Sequence, residues 1–86
     1  MDKVISTFRK NSTEEVRATL SEFKGRQYAS VRAYVEADSG EWVPTKKGLT
    51  LPVDLLPELA RAVRLLCGEA VKRGLVEEES FEGEPG

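Results

Sequence analysis

The 86-residue chain has no histidine, one cysteine, one methionine and one tryptophan. Without histidine it lacks the commonest general base and the commonest metal ligand. A lone thiol, Cys67, excludes an internal disulfide and suits a reducing compartment. Long apolar runs are missing as well. The longest charge-free stretch, Gly48–Val53, has six residues, far short of the ~20 of a membrane helix. The opening "MDKVISTFRK" carries charges where a signal peptide would be apolar. No glycine-rich phosphate loop follows a strand pattern, and the acid pairs Glu14–Glu15 and Asp38–Glu41 fall in turn regions. The expectation is a non-enzyme without cofactor or metal and without a membrane partner.

What the chain does have is unevenly placed charge. Five of its fifteen acids (Glu77, Glu78, Glu79, Glu82, Glu84) lie in the last ten residues, which contain no base. Residues 1–76 therefore hold thirteen bases against ten acids, although the whole chain has a net charge of −2. This pattern predicts a weakly basic domain over 1–76 and a flexible acidic tail over 77–86. A domain of this size buries only about 60–65% of its unfolded surface, so a partner subunit would add needed burial.

Val4–Lys10 is β-rich and stops at the turn-forming "NST". The following "STEEVRATLSEF" fits two periods. Val16, Leu20 and Phe23 suit a helix capped by Ser12 and Glu15, while Val16, Ala18 and Leu20 suit one face of a strand. Lys24–Gly25 is a hairpin signal that tilts the choice towards a strand. Arg26–Glu36 is the clearest strand, "ADSG" turns the chain, and "EWV" and "GLTL" are short extended pieces around the loop "PTKKG". Beyond Leu51, Leu56, Leu59, Ala60, Val63, Leu66, Cys67, Ala70 and Val71 recur at helical spacing. Asp54 suits the N-cap, Pro57 the first turn and Gly74 the C-terminal stop. The expected fold is α+β: a four-stranded antiparallel sheet followed by one long C-terminal helix, β-β-β-β-α. Leu55 and Leu65 fall off the helix stripe and leave a surplus apolar face, which a homodimer would cover.

Within Arg26–Glu36, Ala29, Val31, Ala33 and Val35 alternate with Tyr28, Ser30, Arg32 and Tyr34. One face is small and apolar, suited to packing; the other interleaves phenol rings with an arginine. Arg17 and Phe23 share a face of the preceding segment, and Lys24 and Arg26 flank the hairpin glycine. Lys46 and Lys47 sit in the next loop, beside Trp42. Cations hold phosphates, and each ring stacks on an unpaired base for about 1–3 kcal/mol, so this pattern points to single-stranded nucleic acid. A solvated face with cross-strand aromatic pairs is the competing reading.

The run "LSEFKGRQYASVRAYVEADSGEWVPTKKGLTLP" resembles the DNA-binding domain of the transcriptional positive cofactor four family, small bacterial members included. The shared pattern is a strand ending in Phe-Lys-Gly-basic, a strand with Arg-x-Tyr, an acidic glycine turn, Pro-x-basic-Lys-Gly, and a helix, over roughly residues 15–63. The resemblance implies a curved four-stranded sheet and helix paired into a homodimer. It also implies binding of single-stranded or melted DNA with little sequence preference, and it makes residues 15–23 a strand. It nominates Phe23, Lys24, Arg26, Arg32, Lys46 and Lys47 as contacts; the residue pattern adds Arg17, Tyr28, Tyr34 and Trp42. Val35 and Val43 stand where the family often has an aromatic and a base, and Trp42 could replace some of that stacking.

The expected function is thus a single-stranded DNA-binding transcription cofactor or recombination and repair accessory. The alternatives are an interaction module docking on a polymerase or repair protein, and an RNA-binding chaperone. The composition leans towards a nucleoid-associated protein of the bacterial cytoplasm, or a nuclear one in a eukaryote.

Overall fold

The computed structural model describes residues 2–81. Four strands, β1 (Lys3–Arg9), β2 (Glu14–Phe23), β3 (Arg26–Glu36) and β4 (Trp42–Pro52), form one antiparallel sheet in the order β1-β2-β3-β4. Local chemistry makes each hairpin. At the first, Asn11 Oδ1 accepts from the backbone N–H of Thr13 and Glu14 at 2.9 and 2.8 Å, an Asx turn. At the second, Lys24 and Gly25 have φ of 53° and 81°, the two-residue turn whose twist matches the flanking strands. At the third, the Gly40 N–H donates to the Ala37 carbonyl at 2.9 Å, with φ of 92° at the glycine.

The segment that fitted both helix and strand is β2. Its register with β3 is unbroken from Glu14↔Val35 to Phe23↔Arg26. The two pieces expected around "PTKKG" are instead one strand with an irregularity inside it. Between the pairs Tyr34↔Pro44 and Arg32↔Gly48, β4 has three residues opposite the single Ala33. The bulged residues 45–47 are held in place: Thr45 Oγ1 donates to the Ala33 carbonyl at 2.9 Å and accepts the Lys47 N–H at 3.1 Å. Gly48 is obligatory, because a Cβ there would lie 2.4 Å from the Val31 carbonyl oxygen.

A 3-10 turn (Val53–Leu55) leads into α1 (Leu56–Lys72). Asp54, expected as the helix N-cap, lies inside that turn instead. Pro57 is the second helical residue, where a missing N–H costs no bond. At the other end Gly74 has φ of 72°, its N–H donates to Val71, and the Leu75 N–H donates to Ala70. That is a Schellman stop with glycine at C′.

The chain forms two compact units that divide between Leu56 and Pro57, inside the span expected as one domain. In the sheet unit the core is thin. Ala29 and Ala33 are the buried apolar side chains among the described residues, while Phe8, Leu20, Val31 and Leu49 on the same face are exposed. No residue of α1 is buried, and its stripe is 47% exposed at Val63 and 70% at Leu66. Within the expected tail, Glu78–Phe81 form a short 3-10 turn. Phe81 helps to line an open groove with Cys67, Gly68 and Val71. The rest of that tail, residues 82–86, lies outside the described residues.

Candidate nucleic-acid interface

Strand alternation and register together decide which side chains share the polar face. Directly opposed residues project to the same side, so the pairs define rows across the sheet. One row is Arg9–Glu15–Tyr34–Pro44, and the next is Thr7–Arg17–Arg32–Gly48. Val4–Thr19–Ser30–Thr50 follows, then Ser21–Tyr28–Pro52, and Phe23–Arg26 closes the sheet at the hairpin. Trp42 joins the first end through its pair with Glu36. Seven of the ten nominated residues (Arg17, Phe23, Arg26, Tyr28, Arg32, Tyr34 and Trp42) thus fall on one face, opposite the Ala29–Val31–Ala33–Val35 side of β3, while Lys24 sits in the hairpin turn and Lys46 and Lys47 in the β4 bulge.

They do not form one continuous platform. Tyr28 and Tyr34 are six residues apart on β3, about 20 Å at the usual strand rise. Between them lies an uncharged band in which Thr19 and Ser30 hydroxyls hydrogen-bond at 2.6 Å. The cations and rings collect at the two ends. At the hairpin end, Lys24 Nζ lies 5.4 Å from the Phe23 ring centroid and the Arg26 guanidinium 5.8 Å from that of Tyr28. At the other end, the Arg17 guanidinium stands 4.5 Å from the Tyr34 ring centroid and 6.0 Å from that of Trp42. The rings are therefore not bare: each already carries a cation.

Several nominated cations have duties within the fold. Arg17 Nε is 2.7 Å from Glu15 Oε2. Arg32 donates from Nη1 to the Thr45 carbonyl at 3.1 Å and from Nη2 to Thr50 Oγ1 at 3.0 Å, bridging the β4 bulge. Lys47 is the clearest departure from the expected footprint. Its Nζ lies 3.1 Å from Glu14 Oε2, and it lines a cavity of about 230 Å³ with the apolar-face residues Val16, Val31 and Ala33. The buried Glu14 carboxylate also receives Asn11 Nδ2 at 2.9 Å and Lys10 Nζ at 3.5 Å. The Asn11 hydrogen bond, then the Lys47 hydrogen bond, lower its pKa from 4.5 to about 2 against the opposing cost of burial. Lys46 is exposed at the bulge and has no ion pair among the described residues.

Two residues escaped the sequence reading. Glu14 looked like an ordinary turn acid but pairs with Val35 on the apolar face, where it engages Lys47. Arg9 carried no signal of its own, and only the register reveals that it opens the first row of the polar face.

The family described as Transcriptional Coactivator p15 (PC4) matches residues 10–62. A Caenorhabditis elegans protein named as a putative RNA polymerase II transcriptional coactivator is 38% identical over 50 residues, 49% of this chain. The chain spans about 40% of that relative's length. Among solved structures, a PC4 homolog from Burkholderia pseudomallei aligns with a TM-score of 0.72 at 28% identity, covering 78% of this chain and 98% of the other. A bacteriophage T5 homolog of PC4, implicated in recombination-dependent DNA replication, aligns with a TM-score of 0.61 at 25% identity, covering 98% and 97%.

Proposed function

The chain belongs to the Transcriptional Coactivator p15 (PC4) family, and on that footing we propose that it binds single-stranded DNA without sequence preference. The observation that carries this reading is the segregation of cations and rings. Every close cation–ring pair among the described residues lies on the polar face or at its hairpin tip. Phosphates are held by the cations at the two ends, and unpaired bases stack on rings or on guanidinium planes. Phe23, Lys24, Arg26 and Tyr28 form one contact region; Arg17, Tyr34 and Trp42 form the other. Arg32 and Lys46 contribute along the β4 side, and Lys47 acts from the bulge it helps to anchor.

The backbone at the hairpin supports this assignment. Lys24 is the one non-glycine residue with positive φ among the described residues, at a position asparagine or glycine would fill with less strain. Holding a lysine there is explained by a task for its ammonium group at the sheet's end.

The active species in this reading is a homodimer. A single sheet with one thin apolar face, and a helix with no buried residue, leave Phe8, Leu20, Val31, Leu49 and Leu66 for a second copy to cover. The process served is transcription, or recombination tied to DNA replication, as the names of the coactivator and phage relatives suggest by kinship.

The test is a double substitution at the hairpin end. Arg26→Ala with Tyr28→Ala should lower affinity for an oligothymidine at least about tenfold, since one stacking ring and one phosphate cation are lost. Unchanged affinity removes this face from the site. Equal affinity for DNA and RNA oligomers of the same length would favour the RNA-chaperone alternative.

A further inference from the structure

Arg9 and Trp42 come from opposite edge strands with two strands between them. Three inter-strand spacings would separate them by about 14 Å on a flat sheet. Yet the Arg9 guanidinium lies 5.5 Å from the Trp42 ring centroid. The two side chains reach towards each other over the central strands, beside Arg17 and Tyr34.

We propose that Arg9 and Trp42 form a phosphate-and-base subsite that lengthens the single-stranded DNA path at this end of the face. The proposal rests on the reading of this face as the DNA site. Three features single out the pair. Arg9 precedes the span matched by the family, residues 10–62, so family membership does not assign it. The acids at this end are Glu15 and Glu36 on the strands, with Asp38 and Glu41 in the adjoining turn. Glu15 is engaged by Arg17 at 2.7 Å, whereas Arg9 is exposed and has no ion pair among the described residues. Its guanidinium keeps its planar fork of donors for a phosphate, and stacking beside an indole orients that fork without consuming a donor. Trp42 is half-buried, which leaves part of the indole for a base while its position is fixed by packing.

A purely architectural role, a cation–ring clasp between the two edge strands, makes a different forecast. It predicts lost stability with unchanged DNA binding.

The experiment follows Trp42 fluorescence, the only tryptophan signal, while the full chain is titrated with oligothymidine at two salt concentrations. Quenching of Trp42 on binding is expected. Arg9→Ala should weaken affinity about tenfold and reduce the log–log salt slope by ~0.7, one phosphate contact. Arg9→Lys, which keeps the charge, should restore the slope but only part of the affinity. Thermal melting of each variant monitors the fold. If the wild-type chain binds with Trp42 emission unchanged, or Arg9→Ala binds with the same affinity and slope, the subsite is wrong while the DNA site stands. If the wild-type chain does not bind oligothymidine at all, the functional reading itself fails and the subsite goes with it.

Discussion

Lys47 Nζ lies 3.1 Å from Glu14 Oε2, so a lysine expected to hold phosphate is bound to a buried carboxylate at the start of β2. With Lys10 and Asn11 on the same carboxylate, Glu14 ties the first hairpin to the β4 bulge. The segment that carries both lysines is therefore braced from the apolar side of the sheet.

Acid should loosen this brace. The folded pKa of Glu14, about 2, is below its ordinary 4.5, so the stability it contributes is complete above the higher value and is lost as pH falls towards the lower. Unfolding measured between pH 5 and 2 should show this loss in the wild-type chain and less of it in Glu14→Gln, which should also be less stable at pH 7. Parallel curves for the two proteins would contradict the assignment.

The two bulge lysines should separate in their effects. Lys46→Ala should weaken binding to single-stranded DNA and flatten its salt dependence, with melting unchanged. Lys47→Ala should lower the melting temperature as well, because it removes a partner from a buried carboxylate. Denaturation and oligonucleotide titrations on both variants check this; identical stability would show the Lys47–Glu14 contact to be without consequence.

At the hairpin, stability and binding should move in opposite directions. Lys24→Asn relieves a positive-φ lysine and should stabilise the fold by about 0.5–1 kcal/mol. The same change should reduce affinity for oligothymidine by removing an ammonium group. Urea unfolding and DNA titration of this variant would expose either half of the statement as wrong.

Gly48→Ala should be the most damaging small change in the sheet. The new Cβ would lie 2.4 Å from the Val31 carbonyl oxygen and 2.6 Å from Arg32 Cα, at a φ of 148° that side chains rarely adopt. A loss of at least about 2 kcal/mol is expected from strain at backbone that cannot yield cheaply. Equilibrium unfolding that matched the wild type would show β3 and β4 to be farther apart here than described.

Much of the architecture was legible because it is written in local chemistry. Asn11, Lys24–Gly25 and Gly40 mark the hairpins, and Gly74 marks the helix stop. The alternation in β3 correctly separated its two faces. Periodicity alone could not assign β2, since Val16 and Leu20 belong to both a helix stripe and a strand face; pairing with β3 makes it a strand. Two extra residues opposite Ala33 disguised β4 as two fragments, because the bulge interrupts its pairing with β3. The site was legible as composition but not as arrangement. Arg9, Arg17 and Trp42 gather only when four strands are laid side by side. Glu14 draws Lys47 away through a contact 33 residues distant in sequence.

The central claim is that the polar face grips unpaired nucleic acid through phosphates and bases together. Its most direct test is the affinity of the full chain for an oligothymidine of about twenty nucleotides and for duplex of equal length, each at two salt concentrations. Contacts to Z phosphates on a single strand predict a log–log slope near −0.7Z. Tight single-strand binding with a slope of several units, and much weaker duplex binding, is the result this account requires. Equal affinity for duplex, or no binding to the single strand at low salt, would contradict it.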